Sequence, residues 1–185
     1  MKRTIYATDG EISLSRLSET GMHDYLKLYF GDDEIDDFIK GIAFKRSENN
    51  YSIYDKNNEY CGNLELQNPN SDTPEIGIEL IEHKQNQGIG SRAIRLFAKT
   101  LYKEFNIKYF ILRVKRKNTH SRHVIEKLGC IYIETEPNRL KEYVAELEKL
   151  MDRPLPEKAR EIAMSPPDEG EEIMVYKYMP EVFID

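Results

Sequence analysis

The backbone of Gln85-Asn-Gln-Gly-Ile-Gly90 is placed to bind an anion. It joins a strand-like run, residues 75–82, to the most regular amphipathic helix pattern of the chain. The unpaired N–H groups of the first helical turn and the positive end of the helix dipole therefore converge on it. Gly88 and Gly90 let a phosphate approach without a Cβ in the way. Just upstream, Glu75, Gly77 and Glu79 alternate onto one face of the run and present two carboxylates on the same side. Downstream, Asn118 or Thr119 caps a short helix, with Ser121 in its first turn. His120 and His123 stand three apart on that helix, but no third ligand lies nearby and no metal site is expected. Cys61 and Cys130 form no CxxC pair, so neither a disulfide framework, a cysteine zinc site nor a nucleophile is indicated. Both are expected to be buried, reduced thiols.

These residues need a scaffold, and hydrophobic periodicity supplies one. Residues 11–17, 51–54, 60–66, 75–82, 109–114, 130–134 and 172–179 read as strands. Residues 55–59 form a hairpin turn, and 109–114 is apolar enough to be covered on both faces. A helical region begins near Ser18 or Thr20, with Met22, Tyr25, Leu26 and Tyr29 on one stripe. After the acidic loop 31–37 a second short helical pattern runs through Phe44. Beyond Gly90, the residues Ala93, Ile94, Phe97, Ala98, Leu101, Tyr102 and Phe105 keep one stripe on the helical period, opposite Arg92, Arg95, Lys99 and Lys103. Residues 119–128 read as a short helix closed by Gly129 in the left-handed conformation. Leu140, Tyr143, Val144, Leu147, Leu150 and Met151 mark an amphipathic helix that stops before Pro154 and is expected to cover an open sheet edge or to meet a second subunit. A helical piece at 157–164 follows. Strands, then βαβ, then strands again give the α/β (α+β) class, a central mixed sheet flanked by helices.

The chain has 185 residues, 39% hydrophobic and 32% charged, which suits a single domain over 1–185 with a substantial core. Its apolar runs are too short for a membrane-spanning helix, so no membrane partner is expected. The first residues are basic but lack the apolar stretch of a secretory signal, and a cytoplasmic location is expected. The net charge is −6, yet between Lys108 and Lys127 seven Lys/Arg face one acid, Glu126. A basic island on an acidic body suits a small polyanion held locally rather than nucleic acid. The plainer alternative is a solvated strand end and loop.

Three phosphate-binding patterns compete for the glycine loop. A P-loop needs Gly-Lys-Ser/Thr, whereas Gly90 is followed by Ser91-Arg92. Gly88-Ile-Gly90-Ser-Arg-Ala93 satisfies GxGxxG/A in form, but the next strand ends in Arg113-Val-Lys-Arg-Lys117 where a dinucleotide site wants an acid. The third pattern is a resemblance: Gln85-x-x-Gly88-x-Gly90 is similar to the Gln/Arg-x-x-Gly-x-Gly/Ala signature of the GNAT superfamily of acyl-CoA N-acyltransferases. The strand before the loop stands in the family's order. Asn118-x-x-Ser121-x-x-x-x-Glu126-Lys127-x-Gly129 resembles the family's following helix segment, with Cys130 where an aromatic is usual. The resemblance is strong over residues 75–133 and follows strand order over most of the chain.

It implies a central mixed, mostly antiparallel sheet of about six or seven strands, a cofactor core at about 75–133, and a helical insertion at about 138–164 before the last strand. It implies acetyl-CoA (coenzyme A) as cofactor. The pantetheine arm would pair like an added strand with the backbone around Leu80, Ile81 and Glu82. The amides of Gln85, Asn86, Gln87, Gly88, Ile89, Gly90 and Ser91 would take the pyrophosphate, with Asn118 and Ser121 contacting the cofactor or the thioester sulfur. Asn118 has the alternative use of capping its helix. Because an alkylammonium is mostly charged at neutral pH, its attack on a thioester needs a base. Glu75 or Glu79 fills that role, unless each merely pairs with a surface cation. Many members carry a Tyr acid four residues after the Ser; here that place is Ile125. Members resembling the ribosomal-protein N-terminal acetyltransferases often lack it too and are proposed to use the Ser, here Ser121. Tyr132, Tyr176 and Tyr178 are further donors.

The expected activity is transfer of an acetyl group to a primary amine, either a protein N-terminus or a small cationic amine, by direct attack on the thioester. The alternative is a CoA-binding regulatory module with little catalysis, suggested by Ile125. The partner is an amine acceptor, nucleic acid is not expected, and the chain is a monomer or homodimer. The resemblance places the acceptor pocket among the N-terminal helices and the loops after residue 133, where no residue is diagnostic.

Overall fold

Alternating apolar residues build one sheet with two unlike faces. In the computed structural model the described residues are 4–31, 40, 47–137, 140–155, 157, 160 and 172–180. Among them are eight strands: β1 (Ile5–Thr8), β2 (Ile12–Arg16), β3 (Asn50–Asp55), β4 (Tyr60–Gln67), β5 (Glu75–Leu80), β6 (Phe110–Lys115), β7 (Ile131–Pro137) and β8 (Glu172–Tyr178). Their order across the sheet is β1-β2-β3-β4-β5-β6-β8-β7. Every pairing is antiparallel except β5 with β6. The helices are α1 (Glu19–Phe30), α2 (Ile89–Phe105), α3 (Thr119–Lys127) and α4 (Leu140–Met151).

One face is apolar. Leu14, Ile53, Leu64, Leu66, Ile76, Phe110 and Leu112 pack against Ala93, Ile94, Phe97, Ala98 and Leu101 of α2. Full burial of each large side chain contributes roughly 1.5–3 kcal/mol, and this layer fixes the start of α2 beside the end of β5. The other face is polar, because the intervening residues of β2 to β5 are Ser15, Ser52, Asn63 and Glu79, aligned by register. α1 lies over it so closely that a Cβ on Gly21 would stand 3.2 Å from Ser52 Oγ.

Three features depart from the sequence reading. An eighth strand, β1, turns into β2 at Asp9-Gly10, where Asp9 Oδ1 accepts from the backbone N–H groups of Glu11 and Ile12 and Gly10 adopts φ +90°. β5 stops at Leu80 rather than at residue 82, because Glu82–Lys84 coil into a 3-10 turn. Lys84 Nζ ties that turn to Asp55 of the β3–β4 hairpin at 2.7 Å. At the C-terminal end of α4, Met151 packs with Leu17, Tyr25 and Leu26, the cluster that seats α1, while Ile131, Tyr132 and Ile133 on the edge strand β7 stay exposed. The expected helical pattern before Phe44 and the helical piece at 157–164 fall largely outside the described residues.

Gly62 shows how tightly β4 and β5 meet. Its φ is +149°, and a Cβ there would sit 2.1 Å from the Glu79 carbonyl oxygen and 2.8 Å from Leu80 Cα. Both contacts are backbone and neither can rotate away. Gly62→Ala is expected to destabilise the protein by about 3 kcal/mol or more, read as a lower midpoint in urea denaturation.

Candidate active site

The cleft arises where β5 and β6 part. Their parallel pairing consists of one bridge, Glu75 with Ile111, supported by the Ile111 N–H donating to the Pro74 carbonyl at 2.9 Å. On the other side of β5, the Ile81 N–H donates to the Cys61 carbonyl at 3.0 Å. By the alternation of an antiparallel ladder, the backbone groups of Ile78 and Leu80 then face away from β4, toward the gap. The site therefore presents a partly unpaired strand edge. Leu80 keeps the place expected for it, with one lone pair of its carbonyl already accepting from Gln85 Nε2 at 3.0 Å. The carbonyls of Ile81 and Glu82 instead accept from the N–H groups of Lys84 and Gln85 within the 3-10 turn.

The edge runs into the glycine loop. Asn86 and Gly88 both adopt left-handed backbone, with φ +60° and +76°, and Gly88 is the N-cap of α2. The first turn of α2 contains no acid, so the N–H groups of Ile89, Gly90 and Ser91, which have no intrahelical acceptor, meet no competing carboxylate there. Open space surrounds the Cβ position of Gly88, whereas a Cβ on Gly90 would come 3.4 Å from Leu80 Cδ1. The loop side chains turn inward: Gln87 Nε2 donates to the His83 carbonyl at 2.7 Å and Ser91 Oγ to the Gly88 carbonyl at 3.0 Å. A strand edge leading to a cluster of backbone donors fits a slender chain that ends in a diphosphate.

The two candidate bases have different surroundings. Glu75 is bound by Arg113 Nη1, and the same guanidinium holds Glu136 at 3.1 Å. Burial raises the Glu75 pKa, and the charge of Arg113 only partly offsets this. Glu79 lies on the same face with its side chain reachable by solvent, yet the surrounding protein desolvates it enough to raise its pKa. Of the two, Glu79 is free to exchange a proton. A raised pKa means that folded Glu75 holds its proton more tightly than the unfolded chain does, so stability falls as pH rises from the usual carboxylate value through the raised one. Arg113→Met removes the offset. It should cost about 1–2 kcal/mol near neutral pH, discounted for the exposure of Arg113. The cost should shrink as Glu75 is protonated, which urea melts at neutral and acid pH will read.

α3 borders the cleft from β6. Asn118 Oδ1 accepts from the Ser121 N–H at 2.9 Å and caps the helix, so the capping use of Asn118 is realised. Gly129 closes the helix with φ +78°. Ile125 is buried in the core. Tyr176 is buried with its hydroxyl on Glu126 at 3.2 Å, Tyr132 is exposed and bonded to Thr135, and burial pushes the Tyr178 hydroxyl up to about 12. Burial likewise pushes the Cys130 thiol up to about 12 and raises that of Cys61, so both are poor nucleophiles.

The basic island is partly neutralised, by acids distant in sequence and by Glu126 within it. Besides Arg113, Arg116 pairs with Glu172 at 2.8 Å and Arg122 with Glu126 at 3.8 Å. The sequence reading also missed the residues around Glu79 on the polar face: Tyr25 and Tyr29 of α1, and Tyr60, Asn63 and Glu65 of β4. The signal for them was the alternation of polar residues along β2, β3 and β4.

A family model described as an acetyltransferase (GNAT) domain matches residues 6–131. Solved structures of similar fold include a GNAT-family acetyltransferase from Bacillus anthracis, 17% identical with a TM-score of 0.62, covering 96% of this chain and 98% of that one. RimL, a ribosomal-protein alpha-N-acetyltransferase, is 15% identical with a TM-score of 0.64, covering 95% and 96%. A spermidine N-acetyltransferase from Vibrio cholerae, solved with CoA and spermine, is 10% identical with a TM-score of 0.65, covering 96% and 100%. No curated protein matches the chain significantly.

Proposed function

Because the chain belongs to the GNAT family of acetyltransferases, we propose that its whole length is one N-acetyltransferase domain that moves an acetyl group from acetyl-CoA to a primary amine. The observation that carries this reading is the parting of β5 from β6 directly beside the glycine loop. Ile78 and Leu80 offer backbone partners to the pantetheine arm, and the N–H groups of residues 86–91 bind the pyrophosphate. Bound acetyl-CoA supplies an acyl group activated as a thioester. The acceptor arrives as an ammonium, and Glu79 takes up its proton directly or through a water. The freed nitrogen then forms the C–N bond as the C–S bond breaks, and the second proton it sheds passes to the departing thiolate, giving the amide and the CoA thiol. Ser121, in the first turn of α3, donates a hydrogen bond to the departing sulfur, a modest demand because a thiolate leaves readily. Glu75, fixed by Arg113, shapes the floor beside Glu79.

The acceptor is a protein N-terminus, as for RimL, or a small cationic amine, as for the spermidine enzyme. Thermal-shift titration tests the cofactor assignment: acetyl-CoA and CoA should raise the melting temperature and NADP should not. Thiol release with a panel of amines and peptides tests turnover. A second reading, a CoA-binding regulatory module, draws on the buried aliphatic Ile125 at the family's usual acid position. Binding without thiol release for any acceptor would favour it.

A further inference from the structure

The polar face under α1 carries groups that the transfer step leaves unused. Register aligns Ser15, Ser52, Asn63 and Glu79 across β2, β3, β4 and β5. The first three are at most 3% exposed, and Ser15 Oγ, Ser52 Oγ and Asn63 Oδ1 have no hydrogen-bond partner. Tyr60 Oη, close to Asp24 of α1, is buried without one as well. Each orphaned oxygen costs about 1–3 kcal/mol unless a donor reaches it, and native proteins rarely leave several together.

Beside these oxygens lies a short row of carboxylates. Glu65 pairs with Gly77 in the register, and because Gly77 has no side chain, Glu65 Oε2 lies 4.0 Å from the place its Cβ would take. Glu65 thus stands between Glu75 and Glu79. Arg113 occupies Glu75, while among the described residues Glu65 accepts only the neutral Gln67 amide at 2.9 Å, which leaves two carboxylate charges there without a cation. Glu65 on β4 and Glu79 on β5 are diagonal cross-strand neighbours, about 7–8 Å apart at the backbone. Tyr29 of α1 lies near both Glu65 and Glu79, and its ring is backed by that of Tyr25, centroids 4.8 Å apart.

Resting on the acetyltransferase reading, we propose that this pocket binds a linear polyamine, with the reacting nitrogen at Glu79 and the next ammonium at Glu65. The spacing suits two nitrogens joined by three or four methylenes. The pocket's acceptor-only groups are two carboxylates and Asn63 Oδ1, so a ligand rich in N–H suits it better than one rich in carbonyls. A peptide N-terminus brings one ammonium followed by carbonyls that need donors, and the strands beneath are already paired. The methylenes and their charges lie well against the ring of Tyr29.

The test is calorimetric titration of the CoA-saturated protein with spermidine, 1,4-diaminobutane, n-butylamine and a peptide with a free N-terminus, together with steady-state acetylation of each. Spermidine should bind at least about tenfold tighter than n-butylamine, since a second desolvated ion pair contributes on the order of one decade or more. Glu65→Gln should raise KM for spermidine by about tenfold, with little change in kcat, and collapse its preference over n-butylamine; Glu65→Asp should restore part of it. Equal use of n-butylamine or the peptide, or unaltered preference in Glu65→Gln, would overturn the proposal while leaving acetyl transfer intact. If CoA itself fails to bind, the transferase reading falls separately. Spermidine titrated into the unliganded protein then decides: Glu65-dependent binding supports the pocket, and no binding sinks it.

Discussion

Gly88→Asp abolishes the thermal stabilisation by acetyl-CoA and CoA while the unliganded protein stays folded. Gly88 sits in the left-handed region with nothing near its Cβ position, so the new side chain meets no steric barrier. Leaving glycine in this conformation costs about 1 kcal/mol, which a carboxylate at the N-terminus of α2 offsets by about 0.3–1 kcal/mol. The liganded state gains no such compensation. A carboxylate about 5 Å from a phosphate charge, at an effective dielectric near 20, is repelled by about 3 kcal/mol, more than a hundredfold in affinity. Gly88→Asn separates the causes because it has the same shape without the charge, and it should lose less than about tenfold. Equal ligand shifts in the two variants would remove the diphosphate from this loop.

Glu79→Gln lowers kcat by about 10²–10⁴, the range for loss of a general base, while the melting shift with acetyl-CoA persists. The pH profile carries the sharper signature. Glu79 works as a base only when deprotonated, and desolvation raises its pKa above the usual carboxylate range. Wild-type kcat/KM should therefore fall as pH drops through that raised value, and the limb should be absent from the Gln variant. Glu75→Gln should keep the limb, because Arg113 already engages that carboxyl. A limb that survives in Glu79→Gln would assign the proton to another group.

Local features of the site were legible in the sequence and lateral ones were not. α2, the glycines of its leading loop and the Asn118 cap are written in short-range periodicity and turn chemistry, and the structure has them where that reading expects. β1 is only four residues long, too short for a periodic signal, although Asp9-Gly10 marked its hairpin. The end of β5 was obscured because Ile81 and Glu82 continue the alternation while Lys84 pulls the chain into a turn toward Asp55. Arg113 looked like part of a ligand site because its partners, Glu75 and Glu136, approach from strands 38 and 23 residues away. The face under α1 is hidden from the sequence for a similar reason: Ser52 and Asn63 alternate as outward residues do, and only the docking of α1 makes them interior.

The lone bridge between Glu75 and Ile111 makes the sheet a book with an almost unstitched spine. Strands β1 to β5 form one leaf and β6 to β8 the other, so cohesion across the spine rests on the core shared under α2, on the Glu75–Arg113 ion pair and on whatever lies in the seam. A cofactor arm threaded there would sew the leaves together along the seam and add to the hold that the shared core already has on both.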